Sequence, residues 1–451
     1  MVRDLMGGLK PTQLDQIEGR YRAFNLVSLN IPWLLPHYMA KHSSNFVGKE
    51  FKAVLQSAPF VLFEFIDDPE RLAWVALCQL APLVFQTHID DMESYLTLLR
   101  FHIEKFLYYI FKITAQWVNK PKFHMLLHLL DSIERFGPAS LYATEKFKSY
   151  NGTLRKAAVH SNRQSPGKDI AKSFASYKCI RHLTCGGWFK DPKDSTRYIT
   201  AAPSVGNMFL ERPSLQKTMD YNHLAHIGRE GVFPRVINTK VTAPDTIPAG
   251  LQKHLPGRRI LQLGAIQWTP HRVLKKGVFV LVRLGNSAEG TALTVGCIDH
   301  VWEATFRGRV SFWVCYTEYG RGGVDSYYQM RSVKKSTTHK YVHIKGIEST
   351  INVQHNCHAG GCQVSPTGRV RIEREDSEEN NNIVVHGDTD EYVVNSGELN
   401  STQVLRTWVD VPRGGEEIGD LIPALNKGLA TWLQAAGESD DDEVLDNPSH
   451  R

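Results

Sequence analysis

The sequence lacks the features that mark a secreted or membrane-spanning protein. Its N-terminal stretch, MVRDLMGGLKPTQLDQ, contains no apolar signal core. The longest apolar patch, Phe106–Phe111, is too short to span a bilayer. There are only 7 cysteines among 451 residues, and an odd, scattered set argues against a disulfide framework. We therefore expect an intracellular protein, nuclear or cytoplasmic, with reduced thiols and no membrane partner.

The total charge says little, because a formal net charge of +6 is small for a chain of this length. Its distribution is more informative. A cationic segment lies between Tyr142 and His182, where only two residues are acidic, and an acidic cluster, Glu438–Glu443, lies near the C-terminus. Acidic runs of this kind are most often disordered tails.

The hydrophobic pattern changes along the chain and predicts an α+β protein of several domains. Residues 1–190 show the three- and four-residue apolar spacing of helices. Residues 259–415 consist of short β-branched and aromatic runs between turn residues, which predicts an all-β domain, either a sandwich or a small barrel. We expect a connecting segment over 191–258, a C-terminal helix over 416–437 and a disordered acidic tail over 438–451.

Capping and breaking residues indicate where helices begin and end. The string DPE at 68–70 predicts an N-cap, a proline at the first helical position and a first-turn acid. Pro82 should kink or break that helix. Asp90 or Asp91 should cap the next one. A third helix is expected to contain PKFHMLLHLLDSIERF and to end at the Gly-Pro pair that follows.

Glu145 stands at the head of the cationic segment, on a helix expected from Leu141. Phe147, Tyr150 and Leu154 share one side of that helix, and Glu145 falls nearly opposite. The periodicity therefore favours an exposed carboxylate among cations over a catalytic one.

The cations near Glu145 form either a phosphate-contacting surface or a solvated face. Tyrosine, asparagine and glutamine are interleaved with them, which adds polar contacts to the neutralisation of phosphate charge. DNA is the partner that this composition favours. The candidate DNA-binding residues are Lys146, Lys148, Arg155, Lys156, Arg163, Lys168 and Lys172.

One candidate metal site lies just before this segment. His124 and His128 are four residues apart, and Asp131 lies a further turn along, so all three project from one side of a helix. Their neighbours are mostly apolar. This favours histidines satisfied inside a core over metal ligands.

A second candidate metal site lies in the string NVQHNCHAGGCQV, which contains His355, Cys357 and Cys362. Zinc permits the spacing of the two cysteines, and adjacent side chains can hardly both point inward, so the histidine after Cys357 is a poor ligand. A closed zinc site needs a fourth ligand, which His386 or Cys297 could supply. The alternative is a turn that contains reduced cysteines and no metal.

The string KPKFHMLLHLLDSIERFGPASLYATEKFKSYNGTLRKAAVHSNRQSPGKDIA resembles a segment of CACTA (En/Spm-like) transposases that follows their main catalytic region. The resemblance covers about residues 45–190, and the SNRQSPG wording is similar to the fungal form of the family. The elements of the family pattern that occur here in order are His124, His128, Gly137-Pro138, Glu145, Phe147 and Arg155-Lys156.

The resemblance implies an RNase H-like origin for the helical part. In that family two strand-borne aspartates and a late helical acid hold two divalent metals, so Glu145 becomes the candidate late acid and Mg²⁺ the cofactor of an active enzyme. The aspartates should precede the segment, but residues 1–45 contain only Asp4 and Asp15, in polar surroundings unlike a strand. We therefore expect a truncated or domesticated derivative that binds DNA and is catalytically incomplete.

The β half resembles a module that also follows the helical segment in plant CACTA proteins, and it is similar to bromo-adjacent homology domains. Neither likeness supplies a catalytic residue. Two further functions stay open: a metal-dependent transposase or nuclease that uses Glu145 with unidentified carboxylates, and a protein-interaction or chromatin scaffold that binds through the β domain. The residues that fit the plant module are Val310, Phe312, Val314, Cys315, Tyr316 and Asp325.

Overall fold

The fold is taken from a computed structural model of the chain. The structure describes residues 2–31, 34–115, 120–159, 161, 164–184, 186–212, 214–215, 234–238, 247–269, 272–287, 290–366, 382–387, 390–400, 408 and 419–442. Within these ranges, helices occupy the N-terminal part and a large antiparallel sheet the C-terminal part. The expected α+β class is confirmed.

The chain divides into two compact units. The first contains residues 1–141, 236–266 and 272–451, and the second contains 142–235 and 267–271. This division differs from the expected domains, because most of the N-terminal helices group with the sheet. Only the cationic segment and the residues after it belong to the second unit.

The helices follow the apolar spacing of the sequence. Among the described helices, none combines the length and the apolar composition needed to cross a bilayer. They are α1 (Val2–Gly8), α2 (Pro11–Ala23), α3 (Pro36–Lys41), α4 (Gly48–Val61), α5 (Asp68–Val84), α6 (Met92–Ile113), α7 (Pro121–Leu127), α8 (Leu129–Phe136), α9 (Thr144–Val159), α10 (Pro166–Thr184), α11 (Pro203–Leu210), α12 (Ala249–His254) and α13 (Leu421–Asp442).

Side-chain caps fix the starts of α5 and α6. The N-cap of α5 is Asp67, one residue earlier than expected, and its Oδ1 accepts a hydrogen bond of 2.9 Å from a first-turn backbone N–H. Pro82 lies inside the last turn of α5, and the helix ends two residues later, as the missing backbone donor predicts. Asp91 caps α6 through a 3.2 Å bond from the backbone N–H of Ser94.

The third expected helix is interrupted at His128, which separates α7 from α8. The prediction that it is mostly buried was wrong for α7, where Met125 is 61% exposed. Apolar side chains surround this short helix, and only one side of it meets α6, through Phe123. In α8, Ile133 is fully buried, and Gly137 ends the helix with φ +76°.

The strands confirm most of the expected β runs. The stretch 367–381, which contains one expected run, lies outside the described residues. The strands are β1 (Trp188–Lys190), β2 (Tyr198–Thr200), β3 (Arg235–Asn238), β4 (Arg259–Leu263), β5 (Ala265–Thr269), β6 (Arg272–Lys275), β7 (Phe279–Ser287), β8 (Gly290–Phe306), β9 (Arg309–Val324), β10 (Arg331–His343), β11 (Ile347–Ile351), β12 (Val353–His355), β13 (Gln363–Pro366), β14 (Asn382–Val385) and β15 (Glu391–Val394).

The main sheet closes on itself. Its strand order is β11-β7-β8-β9-β10-β15-β12, with β4 added beside the second half of β8. The two ends of this order, β11 and β12, are separated in the chain by Asn352 alone. Residues 347–355 therefore pair with β7 at one end and with β15 at the other, which closes the sheet into a small barrel, one of the two architectures that the sequence left open.

The N-terminal helices and the barrel share a hydrophobic core. Tyr21 of α2, Val54 of α4 and Trp74 of α5 pack in one cluster with Tyr328 and Met330 from the connection between β9 and β10. Each such side chain contributes about 1.5–3 kcal/mol when it leaves water. Residues 1–141 and the barrel therefore belong to one compact unit with a common core.

A buried polar network joins the same two parts. The Nδ2 of Asn352 donates to the backbone oxygens of Asn25 and Val27, each at 2.8 Å. Its Oδ1 accepts from Gln354 Nε2 at 2.7 Å and from Asn395 Nδ2 at 3.0 Å. Asn352 and Asn395 are fully buried. The turn after α2 is thus hydrogen-bonded to the corner of the barrel.

The C-terminal helix α13 packs along α6 and continues to Asp442. The helix therefore includes residues 438–442, the beginning of the stretch that was expected to be a disordered tail. The remainder of the expected tail, 443–451, lies outside the described residues.

In the second unit, the helices α9 and α10 pack on each other, and β1 pairs with β2 in an antiparallel hairpin. The hairpin and the helix α11 lie in or beside the segment that was expected only to connect two domains.

Candidate metal centre

A turn between two strands positions the ligands of the candidate metal centre. His355 ends β12, and the turn that follows carries Cys357 and Cys362. The backbone N–H of Cys362 donates to the carbonyl oxygen of Cys357 at 3.0 Å, and Gly361 adopts a φ of +58°. This tight turn brings the second thiol back beside the first. His386 follows directly after β14, which pairs with β13.

The four side chains converge on one point. Cys357 Sγ lies 3.5 Å from His355 Nδ1 and 3.8 Å from His386 Nδ1, and Cys362 Sγ lies 3.6 Å from each of the same two nitrogens. All four ligand atoms lie within 4.8 Å of one another. A tetrahedral zinc ion with Zn–S of about 2.3 Å and Zn–N of about 2.05 Å requires sulfur–nitrogen distances of about 3.6 Å. The side chains present this geometry.

Burial disfavours the charged forms of two of the ligands, Cys357 and His386. It raises the pKa of the Cys357 thiol well above its ordinary value, and the neighbouring Cys362 adds to that increase. Burial also lowers the pKa of His386, and His355 lowers it further. A bound dication would favour the deprotonated thiols over the protonated ones, because it stabilises thiolates. Metal binding at this centre would therefore release protons.

Neighbouring residues stabilise the turn and keep one of its histidines out of the ligand group. His358 stacks on Tyr327 with ring centroids 3.7 Å apart, so it does not join the four ligands. The side chain of Asn356 donates from Nδ2 to Asp325 Oδ2 at 2.9 Å, and its Oδ1 accepts from Ala359 N at 3.0 Å. The prediction that adjacent Cys357 and His358 would not both point inward is confirmed.

The hairpin that carries His386 docks on α2. A Cβ on Gly19 of α2 would lie 2.7 Å from Val364 Cγ1 and 3.1 Å from Asn382 Cβ, so helix and hairpin are in close contact. Asn382 Nδ2 also donates to the backbone oxygen of Asp15 at 3.2 Å. A cavity of about 30 Å³ between them is lined in part by Arg20, His386 and both Cys357 and His355. The candidate metal centre thus lies at the junction of α2 and the barrel.

The other predicted metal site does not form a comparable cluster. His124 and His128 are exposed rather than buried, and their Nε2 atoms lie 3.0 Å apart. The interpretation of core histidines was wrong, because α7 lies at the surface. Asp131 is also exposed and is in no group of three or more potential metal ligands among the described residues.

The predicted DNA-binding residues are only partly described. Arg155 and Lys156 on α9 and Lys168 and Lys172 on α10 are all exposed. Glu145 lies on α9 as expected, but its side chain, together with those of Lys146 and Lys148, and the whole of Arg163, lie outside the described residues.

Asp4 and Asp15, the aspartates that precede the family-like segment, lie on the helices α1 and α2. Neither is on a strand. The described part of residues 1–45 therefore has no strand-borne aspartate of the kind that an RNase H-like core uses.

A second group of potential ligands, Asp299, Cys315 and His339, also comes together on the barrel. Sequence reasoning missed it, because these residues lie on three different strands. Only the pairing of the strands, which places β8, β9 and β10 side by side, could have indicated this group.

Comparison with known families adds one match. Residues 265–412 match a domain of unknown function, DUF8590. The matched region contains both ligand groups of the barrel and none of the N-terminal helices. No curated protein matches the sequence.

Proposed function

We propose that His355, Cys357, Cys362 and His386 bind one Zn²⁺ and that the chain is a zinc-stabilised DNA-binding protein. The observation that carries the zinc proposal is the set of four sulfur–nitrogen distances, all close to the edge length of a tetrahedral zinc site. Two thiolates and two imidazoles are ligands that favour zinc. Four protein ligands leave no open coordination position, so the ion serves structure rather than catalysis.

The ion would join two segments that are far apart in the sequence. Cys362 and His386 are separated by 24 positions, and their side chains flank the hairpin of β13 and β14. This hairpin packs on α2. Zinc at this point holds the hairpin against the barrel and thereby supports the docking of α2.

The first prediction is that ligand variants lose one zinc ion per chain. Cys362→Ser removes a buried thiolate, and His386→Ala removes an exposed ligand with less disturbance of the core, so each should lower the zinc content by one equivalent. The measurement is elemental analysis of the purified full-length protein. Cys179→Ser, which alters an exposed cysteine on α10, is the matched control and should keep the wild-type content. Equal zinc in all four proteins would refute the assignment.

We also propose that the cationic segment of the second unit contacts DNA phosphates. Its described cations are exposed, and none of them has an ion-pair partner among the residues that the structure describes. Unpaired cations on a surface are free to neutralise phosphates, which supplies sequence-independent affinity. The cations concerned are Arg155, Lys156, Lys168, Lys172, Lys178 and Arg181.

The second prediction concerns the salt dependence of DNA binding. The double variant Lys168→Gln/Lys172→Gln should weaken binding to any duplex and reduce the slope of log K against log salt by about 2, since each lysine contacts about one phosphate. Fluorescence anisotropy with labelled duplexes at several salt concentrations measures this slope. The matched control is Lys275→Gln/Lys276→Gln, which removes the same charge from an exposed position on the first unit.

Two outcomes would contradict this proposal. An unchanged slope in the α10 variant, or no binding of wild-type protein at low salt, would exclude the cationic segment as the DNA contact. Nicking of the duplex that requires Mg²⁺ and is lost in Glu145→Gln would contradict the separate expectation, drawn from the sequence, that the protein is catalytically incomplete.

A further inference from the structure

We propose that the barrel contains a second divalent-metal site, formed by Asp299, Cys315 and His339, with the hydroxyl of Thr317 beside it. These residues are separate from the four ligands of the proposed zinc centre. The site would take Zn²⁺, or Co²⁺ as a spectroscopic probe, and it would keep at least one coordination position for water or an external ligand.

Irregular strand pairing places these side chains together. Cys315 and Thr317 are two residues apart on β9 and therefore share a face. On one side of β9, the register shifts between Ile298 and His300, which leaves Asp299 as the extra residue of a β-bulge in β8. Bulges redirect a side chain and often lie beside functional sites. The carboxylate of Asp299 is thus directed toward the pair on β9.

The strand on the other side of β9 has a matching irregularity. The register of β10 shifts between Lys335 and His339, and His339 then lies opposite Thr317. The strands on either side of β9, which are β8 and β10, therefore each depart from regular pairing at the point where they present a potential ligand. The two register shifts thus occur on both sides of the β9 segment that carries Cys315 and Thr317.

The distances fit a site that a metal ion could complete. Asp299 Oδ2 lies 3.1 Å from His339 Nδ1, and Thr317 Oγ1 donates to the same carboxylate at 2.9 Å. The three ligand atoms of Asp299, Cys315 and His339 lie within 4.8 Å of one another. Carboxylate, thiolate and imidazole are all zinc ligands, and three protein ligands with an open position are typical of exchangeable or catalytic metal sites.

Burial and charge divide the site into a closed side and an open side. Cys315 is only 4% exposed, whereas the His339 side chain is 60% exposed and the Asp299 side chain 27%. Burial raises the pKa of the Cys315 thiol to about 11, and Asp299 contributes to the increase. The thiol is therefore protonated without a metal, and binding would displace its proton to solvent while the sulfur lone pair coordinates the ion. Solvent reaches the site from the side of His339.

This site should bind more weakly than the four-ligand centre, because it has one thiolate instead of two and remains open to water. The alternative is that no ion binds here and that Asp299 and His339 form only a surface ion pair. The two alternatives differ in whether a metal bound here contacts sulfur, which absorption spectroscopy of Co²⁺ detects directly.

The test is a Co²⁺ titration of full-length protein purified with its zinc. Co²⁺ bound at this site should give a near-ultraviolet thiolate-to-cobalt charge-transfer band that saturates at one equivalent, while the zinc content stays unchanged. His339→Ala removes an exposed ligand and should abolish the band. His88→Ala is the matched control, because His88 also pairs with an aspartate, Asp90, at 2.7 Å on the surface and is in no described ligand group with a cysteine.

The outcomes also separate this site from the proposed zinc centre. In a Cys362→Ser background the first centre is lost, so a band that persists there and disappears on His339→Ala supports the second site whatever becomes of the first. A band that survives His339→Ala, or no band at any Co²⁺ concentration with wild-type protein, would overturn the proposal.

Discussion

Removal of the proposed zinc ion should lower the free energy of unfolding by about 4 kcal/mol when free zinc stands about 1,000-fold above its dissociation constant. The physical reason is linkage: the native state holds four converged ligands, whereas the unfolded chain does not present them together. Without the ion, the four side chains would lose the bonds that join them, and the hairpin of β13 and β14 would lose its attachment to the barrel at His386.

The loss should be local in structure as well as large in free energy. The hairpin contacts α2 where Gly19 approaches Val364, so the amides of α2 and of the hairpin should lose protection first. Strands β8 and β9, which lie in the middle of the strand order, should remain protected. Urea unfolding with and without a chelator gives the free energy, and hydrogen exchange under native conditions gives the location.

Cys179→Ser is again the control, since its stability and its response to the chelator should match those of the wild-type protein. A chelator that leaves the unfolding midpoint of the wild-type protein unchanged would show that the four side chains form a stable cluster without a metal. Exchange that increases evenly over the whole barrel would instead contradict the local role assigned to the hairpin.

How much of this centre could be predicted follows from where its ligands lie in the sequence. Three of them, His355, Cys357 and Cys362, fall within one short string and were identified from it. His386 was expected only as one of two alternatives for a fourth ligand, because its approach depends on the pairing of β13 with β14. The three ligands of the proposed second site could not be foreseen, since β-bulges are set by register and leave no spacing pattern.

The fold shows the same limit. The apolar spacing of residues 1–190 predicted helices, and the β-branched and aromatic runs after residue 259 predicted strands. Periodicity does not reveal what covers a face, and the sheet covers α2, α4 and α5. The expected boundary between a helical domain and a β domain therefore does not coincide with the compact units. The helix α7 is a second example, because its apolar composition predicted burial and several of its apolar residues are exposed.

The other large effect is expected at the corner of the barrel. Asn352→Leu should lower the free energy of unfolding by about 4 kcal/mol, although leucine has nearly the same size and is less polar. Leucine can neither donate to the backbone oxygens of Asn25 and Val27 nor accept from Gln354 and Asn395. Each of these four hydrogen bonds contributes about 1 kcal/mol. The backbone oxygen of Asn25 keeps its bond from Gln354 Nε2, and Asn395 Nδ2 keeps its bond to the backbone oxygen of Gln56.

The matched control for this variant is Asn400→Leu. Asn400 is exposed, and its side chain makes a single 3.0 Å bond to the backbone oxygen of Ser28, so its replacement should cost less than about 1 kcal/mol. Urea unfolding of both variants at fixed zinc gives the comparison. Equal small losses would mean that water enters the corner and replaces the lost partners, and Asn352 would then not be what holds the turn after α2 to the barrel. A large loss confined to Asn352→Leu, with zinc content unchanged, would show that helices and barrel depend on this network separately from the metal centre.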